Sequence, residues 1–376
     1  MAASGKRRKT KRVARAKAGI KKRRKNDTKK TAAEVGPVTL AEAKALAQAK
    51  HPKLAMRAAR KGAAPPASPA PVGAERERLE QERRDEFTRR IQEYKATMEI
   101  MKKRGARRPR SKRADRPKGG EPTPEGEAFA PLQIFAEGDS WFEYPVPFFG
   151  GGIIPRLENR LGVPILNLAK AGDEVRYMLG VEERILLTEQ LTNGCPVGGP
   201  WDVLLFSGGG NDVVDNPMAL WIRDWDPALS PIDLIHKSRF QTALALVRAG
   251  YEDLIELRDN LSPGTHLVFH DYDFAIPDGR GICGFGPWLK PTFDLRKFPV
   301  GVARQQVVKA MLLQFAAMLT SLAVTASNVT FINGQGTLNP QTSSWHNELH
   351  PSKPGFERFA DIFRDRLKAL FPNRVA

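Results

Sequence analysis

The sequence predicts a three-layer α/β/α domain with a mainly parallel sheet over residues 129–376, set behind a basic, partly helical N-terminal extension. Two features of the 376 residues lead there. From Pro131 onward, short runs that are apolar throughout alternate with longer stretches of helical periodicity, the pattern of strands buried on both faces by crossover helices. The charge is also divided along the chain. Residues 1–125 hold 38 Lys and Arg against 14 Asp and Glu, a net +24, whereas residues 126–376 hold 22 against 28, a net −6. The pI near 10.0 therefore describes the front third, and a mildly acidic body follows that is long enough to bury a sizeable core.

Residues 1–36 run through GKRRKTKRVARAKAGIKKRRKNDTKK, where self-repulsion is strong and nothing apolar is available for burial, so a disordered basic arm is expected. Residues 1–30 carry fifteen Lys and Arg against one acid. Such a stretch neutralises phosphates of nucleic acid non-specifically and has no aromatic to stack on bases; an anionic lipid surface, or solubility alone, fits equally well. Residues 37–128 form the helical and linker extension. Thr39 and Glu42 make a capping-box pattern before LAEAKALAQAK, a short helix that should break near Pro52. The stretch GAAPPASPAPVG is a linker. A long helix follows, with Phe87, Ile91, Tyr94, Met98 and Met101 spaced four, three, four, three, a stripe suited to docking on the body and to a short coiled coil alike. Residues 105–128, rich in Arg, Pro and Gly, read as a second linker.

In the body, LQIFAEGDS, PILNLAKAG, WDVLLFSGGGND, THLVFHDYDF and NVTFING read as strands. IIPRLENRLG, FQTALALVRAGYEDLIELRDNL, VARQQVVKAMLLQFAAMLTSLAV and PGFERFADIFRDRLKALF read as helices, and no internal repeat is present. No run approaches the roughly 20 uninterrupted apolar residues of a transmembrane segment, and no apolar stretch follows the charged start, so neither membrane insertion nor secretion is expected. Cys195 and Cys283 lack C-x-x-C spacing and a neighbouring His, which leaves no basis for a metal or a disulfide framework and makes a reducing, cytoplasmic compartment the simpler reading. No cofactor is expected.

The chemistry gathers where strands end, as parallel sheets require. One strand ends in Glu137, Gly138, Asp139 and Ser140, the next in Lys170, Ala171 and Gly172, and the third in Ser207, three glycines, Asn211 and Asp212. The last leads through a loop to Trp345, His346, Asn347, Glu348, Leu349 and His350. Taken singly, Ser140 reads as a helix N-cap and residues 208–210 as a turn. Together they supply a nucleophile, an oxyanion cradle and a base. Asp139 and Asp212 suit hydrogen bonds to loop amides, and Asp271 and Asp273 suit capping of a strand end. Trp221, Trp225, Phe274, Phe285 and Trp288 fall in two long insertions and fit a wall or lid over a substrate as well as a core.

With those residues in place, the chain resembles the SGNH hydrolase superfamily, the GDSL-type esterases, over about residues 131–370: GDSWF, a glycine after the second strand, GGND after the third, and a late His-Pro before the final helix stand in the family's order. The resemblance implies a flavodoxin-like hydrolase fold, with Ser140 as nucleophile, the Ser140 amide, Gly172 and Asn211 as oxyanion donors, and His350 as general base. Phe142 stands where the α/β-hydrolase elbow has its second glycine, so that alternative fits less well. The family pattern has Asp three residues before the histidine, and this chain has Asn347. An Asn carbonyl can fix the imidazole tautomer without supplying a charge. Glu348 is a possible substitute, and His346 reads as a surface or supporting residue. The reading is therefore a serine esterase of unassigned ester; the alternative is a nucleic-acid or polyanion-binding protein with an inactive hydrolase-like body.

Overall fold

The computed structural model describes residues 36–50, 72–107, 128–144, 150–282 and 284–375. The basic arm up to residue 35, most of the first linker, the interior of the second and Cys283 lie outside the described residues.

The extension begins with helix α1, Leu40–Lys50, opened by the expected capping box: the Thr39 amide donates to Glu42 Oε2 at 2.8 Å and the Glu42 amide to Thr39 Oγ1 at 3.3 Å. Helix α2, Val72–Arg104, is followed by strand β1, Ala106–Arg107, which pairs antiparallel with β2, Ala128–Phe129. The ends of the region read as a second linker are thus a two-residue ribbon. The apolar stripe of α2 docks on the body: Phe87, Tyr94, Met98 and Met101 are buried in the common core, with Ile91 packed against it. Tyr94 lies against Trp201 and within 3.6 Å of the Cys195 sulfur.

The body is built on five parallel strands, β3 Ile134–Gly138, β4 Ile165–Asn167, β5 Val203–Ser207, β6 His266–His270 and β7 Val329–Ile332, in the order β4-β3-β5-β6-β7. β3 and β5 are buried at every residue, which is why they carry no polar alternation. Helix α3, Ile153–Leu161, joins β3 to β4; α4, Val175–Met178, and α5, Val181–Asn193, join β4 to β5. The short α6, Gly210–Val213, and the long α7, Lys237–Leu261, lead to β6. Next come α8, Lys290–Leu295, and α9, Val302–Thr325, before β7, and α10, Lys353–Leu370, closes the chain. α3 and α10 pack together on one side of the sheet, and α5, α7 and α9 pack against one another as a second group.

α9 is long and apolar enough to cross a membrane by length and composition. One face of it packs on β7 and α7, with Val307, Val308, Met311, Phe315 and Leu319 buried and Arg304 bonded to the Phe298 and Pro299 carbonyls. α2 lies along β4, the edge strand, and covers an edge that would otherwise invite pairing with another chain. The strand order reverses between β3 and β5, so the loops leaving their carboxyl ends diverge and open the crevice where such sheets hold their chemistry.

Candidate active site

Ser140 occupies the turn after β3. Gly138 is required there because a Cβ would stand 2.6 Å from the Ser207 carbonyl oxygen, on the neighbouring strand β5. The turn is held from beneath by Asp139, only 1% exposed, whose Oδ1 accepts the Trp141 amide at 2.9 Å and whose Oδ2 accepts the Tyr272 hydroxyl. Asp139 and Asp212, which takes the Val175 amide at 2.9 Å, both bind loop amides as expected.

The histidine arrives from the loop before α10. Residues 345–351 fold back on themselves, with a bridge between Trp345 and Pro351 and the His346 amide donating to the His350 carbonyl. Asn347, wholly buried, fills this loop: its Oδ1 accepts the Leu349 amide at 3.0 Å, the His350 amide at 2.9 Å and His350 Nδ1–H at 2.9 Å. Two backbone N–H donors fix that end of the amide as oxygen, so Nδ1 of His350 must donate and Nε2 is left bare. The bare nitrogen stands 2.6 Å from Ser140 Oγ and accepts its proton. Asn347 Nδ2 donates to the Tyr144 hydroxyl at 3.1 Å, and that hydroxyl is hydrogen-bonded to His346 Nδ1 at 2.6 Å. Tyr144 also packs its ring 4.4 Å from that of His350. Trp141 Nε1 binds the Leu349 carbonyl at 3.1 Å and ties the two loops together. Burial lowers the pKa of His350 from 6.5 to about 3, aided by the neighbouring His346.

Glu348 does not substitute for Asn347. Its carboxylate is buried and accepts four amides, Gly279 and Lys290 on Oε1 and Trp288 and Leu289 on Oε2, at 2.6–3.0 Å. It pins the second insertion and the start of α8 to the histidine loop and has no acceptor left for the imidazole.

Asn211, on α6, lines the same cavity as Ser140 and His350. Its Nδ2 donates to the Asp173 carbonyl at 2.7 Å, which fixes the amide orientation and leaves one N–H over. Gly172 lies in that adjoining loop at φ +85°, exposed, with open space where a Cβ would be. Among the described residues neither the Ser140 nor the Gly172 amide has an acceptor.

The cavity is mainly apolar, with Val213, Val308, Met311 and Leu312 lining it beside the polar group. Two readings are open for the five insertion aromatics, a wall or lid and a core role, and the cavity lining includes none of the five. Trp221 is buried against Phe240, Trp225 packs on Phe298, Phe274 sits beneath the Lys309 ammonium, and Phe285 is 70% exposed. Trp288 alone of the five reaches the site, its ring 5.9 Å from that of His350. The cavity aromatics are Trp141 and Tyr272, next to motif residues and unnoticed in the sequence for that reason.

A second Ser, His, Asp group lies buried beneath the first. Ser207 Oγ is 2.9 Å from Asp139 Oδ1 and 2.8 Å from His270 Nε2, and His270 Nδ1 donates to the Asp271 carbonyl. The Ser207 hydroxyl donates to Asp139 Oδ1, and its oxygen lies against His270 Nε2. Burial raises the pKa of Asp139 to about 6 and lowers that of His270 to about 4. Asp271 Oδ1 takes the Gly334 amide at 2.7 Å and Asp273 the amides of Gly336 and Leu338, so both secure the strand ends as read. Among the described residues no three His, Cys, Asp or Glu side chains gather as a cation site.

No protein-family model and no curated protein matches the chain. Among solved structures, it is similar to the lipase Lip_vut3 from a goat rumen metagenome, with 16% identity over 62% of this chain and 96% of that one and a TM-score of 0.40. The extracellular lipase of Streptomyces rimosus matches at 15% identity over 62% and 99% of the two chains, TM-score 0.38. A carbohydrate esterase family 3 protein from Talaromyces cellulolyticus matches at 11% identity over 64% and 97%, TM-score 0.38.

Proposed function

We propose that the protein is a serine esterase that cleaves an ester through an acyl-serine intermediate. The observation that carries the reading is the directed hydrogen-bond chain Asn347 Oδ1, His350 Nδ1–H, His350 Nε2, Ser140 Oγ–H, with its two links at 2.9 and 2.6 Å. The backbone amides on Asn347 make His350 Nδ1 the donor and burial disfavours the imidazolium, so the neutral base is aimed at the hydroxyl before substrate arrives. Ser140 Oγ attacks the acyl carbon and His350 Nε2 takes its proton. The imidazolium then returns that proton to the leaving alkoxide, and water repeats the sequence to release the acid. As the acyl oxygen gains charge it is met by the Ser140 and Gly172 amides and the spare N–H of Asn211, one such donor being worth about 3 kcal/mol. Asn347 holds the imidazole tautomer but offers no full charge to the imidazolium.

The test is labelling by a fluorophosphonate together with hydrolysis of short acyl esters. Wild type should take one label, at Ser140, and turn over ester; Ser140→Ala should do neither. A folded wild type that takes no label, or a labelled Ser140→Ala, overturns the reading.

A further inference from the structure

The oxyanion loop leaves β4, an edge strand, and this creates a structural difficulty. The Leu168 and Lys170 amides donate to the β3 carbonyls of Ala136 and Gly138, both at 2.8 Å, so the alternate residues 167 and 169 face away from the sheet, where no further strand meets them. Arg90, on the extension helix α2, fills that place. Its Nη1 donates to the Asn167 carbonyl at 2.9 Å and the Ala169 carbonyl at 3.3 Å, while Nη2 reaches Glu143 Oε1 at 3.3 Å. Glu143 lies three residues past Ser140 in the nucleophile turn, and its other oxygen accepts Asn167 Nδ2 at 2.6 Å. The guanidinium is held in turn by Glu86, whose Oε1 accepts Nε at 3.2 Å. One planar fork thus touches the turn that carries Ser140 and the strand end that leads to Gly172, and both contacts are made from outside the body of the fold.

We propose that Arg90 is a positioning residue for the esterase reaction: it clamps the nucleophile turn, through Glu143, to the loop bearing Gly172, through the Asn167 and Ala169 carbonyls. This rests on the esterase reading above. The distance between nucleophile and oxyanion donors governs the tetrahedral transition state more than substrate binding, so loosening it lowers kcat and leaves KM nearly unchanged. A lysine keeps the charge but, as a compact ammonium, does not reproduce a planar fork spanning two carbonyls and a carboxylate. The extension is therefore part of the catalytic machinery's support.

The experiment compares full-length wild type, Ser140→Ala, Arg90→Lys, Arg90→Ala, Glu143→Gln and the Arg90→Ala/Glu143→Gln double variant, by steady-state hydrolysis of a short acyl ester, by the rate of fluorophosphonate labelling and by thermal melting. Arg90→Lys should melt close to wild type, and its kcat and labelling rate should fall by about tenfold to a hundredfold with KM nearly unchanged. The losses for Arg90→Ala and Glu143→Gln should be strongly non-additive in the double variant, since both remove the same bridge. A wild type that is neither labelled nor active removes the esterase reading and this proposal with it. If wild type is active and the folded Arg90→Lys keeps the wild-type kcat, or changes KM alone, only the clamp is overturned.

Discussion

Asn347 does by acceptor geometry what a carboxylate would do by charge. Because its Oδ1 serves two backbone amides as well as the imidazole, Asn347→Ala leaves three buried donors unpaired, each costing about 1–3 kcal/mol, and turnover should fall steeply as the ring loses its fixed tautomer. Asn347→Asp is the informative partner. With His350 held near pKa 3, the wild-type acid limb of kcat/KM should lie well below the 6.5 of a free histidine. A carboxylate beside Nδ1 favours the imidazolium and raises that pKa. The base acts only when neutral, so activity in Asn347→Asp should be lost at a higher pH on acidification, which a pH–rate profile reads directly. An unmoved limb would show that position 347 does not set the base. The order of strand ends and helix starts marked Ser140, Gly172, Asn211, Asn347 and His350 as candidates, and the structure joins Ser140, His350 and Asn347 by hydrogen bonds with Asn211 lining the same cavity. Tyr144, Ser207 and His270 were not legible, since their partners stand 203, 68 and 63 positions away and no local pattern encodes such pairings.

At the scale of elements, Glu348 links three pieces of chain with one side chain. Glu348→Gln keeps the shape but turns an NH2 toward at least one pair of amides that need an acceptor, a penalty of about 1–3 kcal/mol, or a melting point lower by roughly 2–10 °C in a domain of this size. The insertion it holds carries Trp288 beside His350, so turnover should fall in the same variant. Equal melting temperature and rate would mean that the four amides are held by other means. The central strands β3 and β5 were easy to read because burial at every residue leaves them without polar alternation, and β4, β6 and β7 were read from short, mainly apolar runs although part of each is only half-buried. The stripe on α2 showed that one face of that helix is covered; it carried no information on the covering surface, which is assembled from β4, Cys195 and Trp201, far downstream. The ribbon of β1 and β2 was missed because two residues on each side are too few to show a period.

The molecule as a whole joins a mildly acidic body to a basic front; the alternation of strands and helices announced a parallel sheet, whereas the order β4-β3-β5-β6-β7 came only with the structure. The charge of residues 1–30, +14, motivates a further prediction: removal of residues 1–35, stopping short of Gly36 whose carbonyl accepts Arg104 Nε, should weaken binding to DNA, RNA and anionic vesicles while leaving ester turnover unchanged. The binding lost should be strongly salt-dependent, falling by orders of magnitude between about 50 and 200 mM, and equal affinity with and without the arm would sink the idea. The docking of α2 also has a consequence in time. This helix leaves the ribosome before its seat, since Tyr94 meets Cys195 only 101 residues later and Trp201 later still. At about 5–20 residues per second the helix waits some 5–20 s for its seat, and for that interval the nascent chain carries an unmatched apolar stripe beside a strongly cationic leader. The edge strand it will cover is uncapped for as long as docking is delayed, so a nascent chain stalled after β4 would be the form most prone to pair with its neighbours.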